Sequence, residues 1–449
     1  MPNPIHPADP AKEKRIDPPF SSKLFLALAL TFSLSAVMAN HGAAASLEAS
    51  ADEHYRLAFS AMQNNDCAQM RRETIAAAHL GYDLDPRLLD EWGCRCGELL
   101  LPEEKGHWQF SALSISASGL LAAATLDGRV LIFNLLEPGE VSVWETGHPE
   151  ITAIDLSDDG SLLAVGGGRR VLVRKVKAEQ FIWAGNLDAH VSSLRFSPDG
   201  QRIAIGMNKL YAPVGESVQM SGFIRSMSLA DTTDLVEMSM VPGNPADIAF
   251  STDGKRLVAY CWSAKYSLNT FAWLGIWDAQ TGVQELSRPL RTTSSFPAHI
   301  SRDGRILAYA KLDRKVLARH RITLDDEGRP FDFANFASHG WLRNPANYHA
   351  VAYDVFQDTE LPIINGPNVL ALDPNGEHAV VLTESGEVKR EHIGAGEVYN
   401  LNLTNISPQD QSRDFAVSFG PGSTLVIGRT EDDLARYGWL PSEISPPPQ

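Results

Sequence analysis

Seven copies of one glycine-terminated turn, each set between alternating apolar runs, predict an all-β chain folded as a seven-bladed β-propeller. A stretch ahead of them with helical rather than strand periodicity predicts a small N-terminal α-helical segment. A basic and then apolar leader predicts that the mature chain begins well after Met1.

The turns read Ser116-Ala117-Ser118-Gly119, Ser157-Asp158-Asp159-Gly160, Ser197-Pro198-Asp199-Gly200, Ser251-Thr252-Asp253-Gly254 and Ser301-Arg302-Asp303-Gly304. Two divergent copies follow at Asp373-Pro374-Asn375-Gly376 and Gly420-Pro421-Gly422. Proline presets φ, Asp or Asn bonds its own backbone, and glycine takes the positive φ that closes a tight antiparallel connection. Successive glycines are 41, 40, 54, 50, 72 and 46 residues apart, and the shorter steps match the roughly 40–45 residues of a four-stranded blade. Around Gly160 the strands alternate as expected: Ile151, Ala153 and Leu156 before it, Leu162 to Val165 after it, then Val171 to Val173, with an outer strand near Phe181 to Trp183. A free sheet edge would expose unpaired backbone groups, so Glu98 to Leu101 or His107 to Phe110 is expected to complete the last blade beside Leu425 to Ile427.

In the leader, Lys12, Lys14, Arg15 and Lys23 precede an apolar stretch from Leu24 to Ala39, with small residues at Val37 and Ala39. Residues 1–39 therefore form a signal peptide, with the mature start near Asn40, or near Ser46 if Ala43 and Ala45 mark the cut. Retention as an uncleaved anchor is the alternative, although the stretch is short against the roughly 20 residues of a bilayer span. The expected location is periplasmic or secreted, with no stable membrane insertion once the signal is removed.

Residues 46–97 form the helical segment: Tyr55, Ala58, Phe59 and Met62, then Ile75, Ala76, His79 and Leu80, recur at helical spacing around a break at Asn64-Asn65-Asp66. The pair resembles one tetratricopeptide-type hairpin, followed by a short helix from Pro86 to Trp92. Exported, it is expected to hold one disulfide, Cys67 with Cys94 or with Cys96. Cys261 follows an apolar strand and reads as a buried free thiol. Residues 98–440 form the propeller and 441–449 a Pro-rich extended tail.

The charge balance narrows the partners. A formal net charge of −16 with no basic run in the body works against nucleic acid and anionic membranes. At 44% hydrophobic and 21% charged residues, the composition is that of a folded chain rather than a disordered one.

The turn at Gly200, Gly275-Ile276-Trp277-Asp278 before Gly282, and Gly147-His148 together resemble the WD40 and WD40-like propeller family over about three quarters of the chain, Phe110 to Trp439. One copy carries Trp-Asp; the others read Phe133-Asn134, Lys175-Val176 or Ser228-Leu229, closer to divergent bacterial exported propellers.

Loop length locates the decorated face. Four second-to-third-strand loops are minimal: Leu126-Asp127-Gly128, Gly166-Gly167-Gly168, Leu312-Asp313-Arg314 and Glu384-Ser385-Gly386. Asn208 to Gly222 and Cys261 to Gly275 are long, and the largest insertion, Asp325 to Gly366, is expected after the next blade's third strand and on the same face. Their aromatic content suits binding: Tyr211, Trp262, Tyr266, Phe271 and Trp273 in the two loops, and Phe331, Phe333, Phe336, His339, Trp341, Tyr348 and His349 in the insertion. Mutual packing of these rings is the alternative.

No nucleophile elbow, zinc-protease helix, phosphate loop or haem motif occurs, so no catalytic residue, metal or cofactor is assigned. His339 and His349 near Asp354 and Asp358 could form a metal or acid/base cluster, although loop histidines are more often solvated; His190 and His299 at blade entrances read as structural. The function expected is a protein-binding or assembly scaffold acting through an aromatic loop face on a protein or other macromolecular partner. The alternatives are an exported propeller enzyme, such as a lactonase-like hydrolase or the large subunit of a quinone-dependent amine dehydrogenase, and a small-ligand carrier using the central channel.

Overall fold

The structure is a computed structural model that describes residues 50–64, 66–80, 82, 84, 98–100, 108–135, 141–178, 180–211, 219–241, 243–262, 272–290, 292, 298–320, 345–363, 368–383, 385, 387–401, 415–419, 425–429 and 434–437. The leader, the third helix expected at Pro86 to Trp92, Cys94, Cys96, the tail and most of the large insertion lie outside them. So does the side chain of Cys67. Among the described residues there is no disulfide, and Cys261 is a buried free thiol. No described helix is long and apolar enough to cross a membrane.

Two helices come first, α1 (50–63) and α2 (Cys67–His79). The break between them is set by Asp66, which caps α2 by accepting the Gln69 N–H at 2.9 Å. Ala58, Ala61 and Met70 are buried between the helices, with Tyr55, Met62 and Ile75 packed on them. Tyr55 stacks on Tyr82 at 4.4 Å, and His54 Nδ1 lies 2.6 Å from Glu73 Oε2, which closes the hairpin on itself.

The rest is sheet. Strand β1 is Glu98–Leu99. The first sheet holds β2 (Phe110–Ile115), β3 (Leu120–Thr125), β4 (Arg129–Asn134) and β5 (Ser142–Glu145). The second holds β6 (Ala153–Leu156), β7 (Leu162–Gly167), β8 (Arg170–Lys175) and β9 (Phe181–Asn186), and the third β10 (His190–Phe196), β11 (Arg202–Tyr211), β12 (Gln219–Ser228) and β13 (Leu235–Glu237). The fourth holds β14 (Asn244–Phe250), β15 (Arg256–Trp262), β16 (Ala272–Asp278) and β17 (Gln284–Leu290). The fifth holds β18 (Ala298–Ile300), β19 (Ile306–Leu312), β20 (Tyr348–Asp354) and β21 (Thr359–Pro362), and the sixth β22 (Asn368–Leu372), β23 (His378–Leu382), β24 (Val388–His392) and β25 (Val398–Leu401). The last holds β26 (Phe415–Phe419), β27 (Leu425–Arg429) and β28 (Leu434–Tyr437).

Seven blades were expected, the last of them completed by Glu98 to Leu101 or by His107 to Phe110. Six sheets are runs of four consecutive antiparallel strands, whereas the remaining sheet is composite, ordered β26-β27-β28-β1. Glu98 pairs with Arg436 and Leu99 with Ala435, so a segment ahead of the first sheet supplies the outer strand of the last. That pairing covers an edge that would otherwise offer a free row of backbone donors and acceptors.

The innermost strands β2, β6, β10, β14, β18, β22 and β26 neighbour one another in a ring. Each gap between adjacent sheets is filled by an apolar cluster, such as Ala124, Val130, Leu156 and Val165 between the first two sheets. The ring closes where Phe110, Leu121 and Leu131 of the first sheet meet Ala416 and Val426 of the last. Each fully buried Leu or Val contributes about 1.5–3 kcal/mol, so the cohesion lies between the sheets rather than within any one.

The turns form a second ring on one face. Gly119, Gly160, Gly200, Gly254, Gly304 and Gly376 all take positive φ. At Ser157 the hydroxyl donates to Asp159 Oδ1 (2.6 Å) and accepts the Leu162 N–H (2.9 Å), and Ser197 and Ser251 repeat the pattern with Asp199 and Asp253. Adjoining turns touch: Ser118 N–H donates to Asp158 O at 3.3 Å. Second-to-third-strand connections therefore leave from the opposite face, beside the inter-sheet crossings, where Gly128 O accepts the Thr146 hydroxyl at 2.6 Å.

Four loop assignments change. Asn208 to Tyr211 is strand, paired with Gln219 to Gly222, and Cys261-Trp262 pairs with Trp273-Ala272. Both ladders continue outward through these residues, which satisfies backbone groups that a loop would leave to water. The large insertion lies between the second and third strands of the fifth sheet, not after the third: Leu312 pairs with Tyr348. The supposed minimal loop at Leu312-Asp313-Arg314 instead begins a helix, α3 (Arg314–Arg319), whose N-cap Asp313 accepts the Lys315 N–H at 2.7 Å. Asp313 N–H also donates to Asn347 O at 3.0 Å, closing the base of the insertion.

Candidate functional site

The innermost strands enclose a cavity of about 310 Å³ along the propeller axis. It is lined by Ser111 and Ser114 of β2, Asp155 of β6, Arg195 of β10, Asp247 of β14, His299 of β18 and Ser418 of β26, with Arg302 from a turn. Four of these sit five residues before a turn glycine, Ser114, Asp155, Arg195 and His299, at a strand position facing the axis.

Each of these side chains hooks the next inner strand. Ser114 Oγ accepts the Leu156 N–H at 3.0 Å, and Asp155 Oδ2 accepts the Phe196 N–H at 2.8 Å. Arg195 Nε donates to Ile248 O at 3.1 Å, and Asp247 Oδ2 accepts the Ile300 N–H at 2.8 Å. His299 continues the series with a hydrogen bond to the Val369 backbone. The expectation that His299 is structural matches this position.

The charges balance locally. Arg195 lies 3.5 Å from Asp155 and 3.6 Å from Asp247. Arg302 leaves the fifth sheet's turn and reaches the second sheet, pairing with Asp158 and Asp155 and donating to Leu156 O at 2.5 Å. It spans the axis at the turn face. Burial works against its charge, but Asp155 and Asp158 hold the guanidinium above its ordinary pKa. Burial also pushes the His299 imidazole below its usual value, Asp247 opposing, so this group is neutral near pH 7. Ser111 Oγ is buried without a hydrogen-bond partner.

Such a channel can hold a small polar molecule toward its loop-face end. Its carboxylates and guanidinia are occupied in holding strands together, whereas Ser111 Oγ is uncommitted.

Most of the expected aromatic residues, Tyr266, Phe271, Phe331, Phe333, Phe336, His339 and Trp341, lie outside the described residues, as does the side chain of Tyr211. Tyr211 is a strand residue, opposite Gln219. Trp262 packs against the cluster between the fourth and fifth sheets, and Tyr348 is 6% exposed. Trp273 is half-buried. His349 is exposed, beside Lys311, Asp313 and Glu360.

The cluster of His349 with Asp354 and Asp358 does not form. His349 and Asp354 are five residues apart in β20, about 17 Å at 3.3–3.4 Å per residue. Asp354 accepts Arg305 Nε at 2.9 Å and caps the next turn through the Gln357 N–H, and Asp358 pairs with Arg288. One group the sequence reading did not single out brings three metal-ligating atoms together: Asp373, Glu377 and His378, at a turn rather than in the channel.

The sequence reading also missed the axial series. Its signal was present as a polar residue recurring at one place in otherwise apolar inner strands.

Two stretches, residues 140–173 and 182–209, match the WD domain, G-beta repeat (WD40). No curated protein sequence matches the chain. Among solved structures, one described as Kuenenia stuttgartiensis hydrazine synthase aligns with a TM-score of 0.52 at 14% identity, covering 76% of this chain and 98% of that one. Another, described as a mitotic checkpoint complex, aligns with a TM-score of 0.50 at 13% identity, covering 77% and 94%. At these identities the likeness is one of fold. The ring of inner strands and the repeated turns make the chain an all-β propeller, two stretches of which match the WD40 repeat.

Proposed function

We propose that this protein is an exported binding scaffold, a seven-bladed propeller that presents one face to a protein partner in the bacterial periplasm or outside the cell. The observation that carries the reading is the lengthening of three successive second-to-third-strand connections, β11 to β12, β15 to β16 and β19 to β20, which leave from the face opposite the turns. Extensions confined to neighbouring blades and one end build a surface without contributing to ring closure. WD40-type propellers commonly bind proteins, and one fold neighbour is described as a complex. Export rests on the leader, where basic residues precede an apolar stretch.

The channel favours a second reading, a small polar ligand or an exported propeller enzyme, because a histidine, two arginines and two aspartates converge there. Their involvement in inter-strand hydrogen bonds supports the scaffold reading over this one.

The test replaces 212–218 and 263–271 by Asn-Gly turns, keeping both hairpins. Cross-linking mass spectrometry in the native envelope is then compared with wild type. The scaffold reading expects loss of one specific cross-linked partner with the fold intact. A partner retained in full, or a small molecule released from the channel as the sole ligand, would overturn it. N-terminal sequencing of the envelope protein tests export, with Asn40 or Ser46 as the expected first residue.

A further inference from the structure

We propose that the turn between β22 and β23 is a binding site for one divalent transition-metal ion of the zinc class, ligated by Asp373, His378 and Glu377. Their ligating atoms lie within 4.8 Å of one another. Asp373 Oδ2 and His378 Nδ1 are 3.1 Å apart. The edge of a tetrahedron with bonds of 2.0–2.1 Å is about 3.4 Å, so a bound ion needs little movement of this pair. It takes the place of the proton they share. Glu377 is exposed and can swing the remaining distance.

Comparison with the sister turns separates this group from an ordinary cap. In the second to fifth sheets the turn's first residue is serine, whose hydroxyl accepts the backbone N–H five residues on, as Ser157 does from Leu162 and Ser197 from Arg202. At Asp373 one oxygen accepts the Glu377 N–H at 2.7 Å, a bond that Asp159 and Asp199 make in their turns, and the second is left facing an imidazole. The residues matching His378 in the second to fifth sheets are Leu162, Arg202, Arg256 and Ile306, and those matching Glu377 are Ser161, Gln201, Lys255 and Arg305. None of these pairs offers two ligands. His378 and His392 are cross-strand partners whose rings meet edge to face at 4.9 Å. With its Nδ1 3.2 Å from Ile393 O, His392 fixes the plane of the ligating ring.

The donors are one imidazole nitrogen and two carboxylate oxygens. That mixture suits zinc and its neighbours rather than magnesium or calcium, which prefer all-oxygen shells. Three protein ligands leave a fourth position for water at the solvent side, where Glu377 stands.

Asp373→Ser tests the site without disturbing the turn, because serine is the cap residue of the sister turns. Metal-free full-length chain is titrated with zinc by calorimetry, and cobalt(II) spectra identify the donors. The expected result is one zinc per chain in wild type, absent in Asp373→Ser and His378→Ala, with affinity lowered about 10- to 100-fold in His392→Ala. The cobalt spectrum should lack the thiolate charge-transfer band that cysteine ligation would give. Undiminished zinc binding by Asp373→Ser, a thiolate band, or no uptake by the folded wild type would each overturn the proposal.

Discussion

Arg302 in the fifth sheet's turn pairs across the propeller axis with Asp158 in the second sheet's turn, 144 residues earlier in the chain. Removing the guanidinium leaves Asp155, whose side chain is 2% exposed, with one fewer neighbouring cation. Loss of one partner from a buried charge pair costs about 3 kcal/mol. Arg302→Ala should therefore lower the urea midpoint strongly, and Asp158→Ala less, because Asp158 is 41% exposed. Equal losses in the two variants would argue against a strut across the axis.

Gly128 and Gly168 both take positive φ, at 86° and 54°, yet their surroundings differ. A Cβ at Gly128 would stand 1.8 Å from His148 O, whereas nothing lies within 4 Å of one at Gly168. Gly168→Ala should cost about 1–2 kcal/mol, the conformational penalty alone. Gly128→Ala should cost more, since backbone has to move; thermal melts of the two variants decide it.

Acid should destabilise the fold before its carboxylates titrate. Burial holds His148 and His299 below the ordinary imidazole value. The unfolded chain takes up protons as pH falls through about 6.5 while the folded chain resists, so stability is complete above that pH and declines below it. Urea midpoints should fall between pH 6.5 and 5, and less in His299→Gln. A midpoint rising on acidification across this window would contradict the sign.

Trp277 is fully buried, and its Nε1–H donates to Ser239 O at 2.7 Å. Gly275 exists for it: a Cβ there would sit 2.0 Å from the Trp277 ring. Trp277→Phe keeps much of the packing and leaves the Ser239 carbonyl unpaired, a loss of about 2 kcal/mol. Denaturation that is unchanged in this variant would show the hydrogen bond to be dispensable.

The turns were legible because their chemistry is local: Ser157, Asp159 and Gly160 satisfy one another within a few residues. Ring closure was legible in part, since an edge beside Leu425 to Ile427 demanded a partner and Glu98-Leu99 supplied it. The large insertion was misplaced because Leu312 finds its strand partner only at Tyr348, and nothing local separates the start of α3 from another strand. Among the expected loop aromatics, Trp262 packs against the cluster between the fourth and fifth sheets and Tyr348 is buried, neighbours that no local pattern announces.

Short-range patterning thus determined the strand alternation, the positive-φ glycines, the hairpin of helices and the all-β class, because each follows from residues within one turn or one strand of each other. Only the tertiary structure decided that Asp155, Arg195, Asp247 and His299 line one channel, that Arg302 crosses it, and that Asp373 faces His378 rather than water. Those relationships depend on how the sheets are wound around a common axis, and the orientation of one sheet against another is set by side chains interlocking across distant parts of the chain.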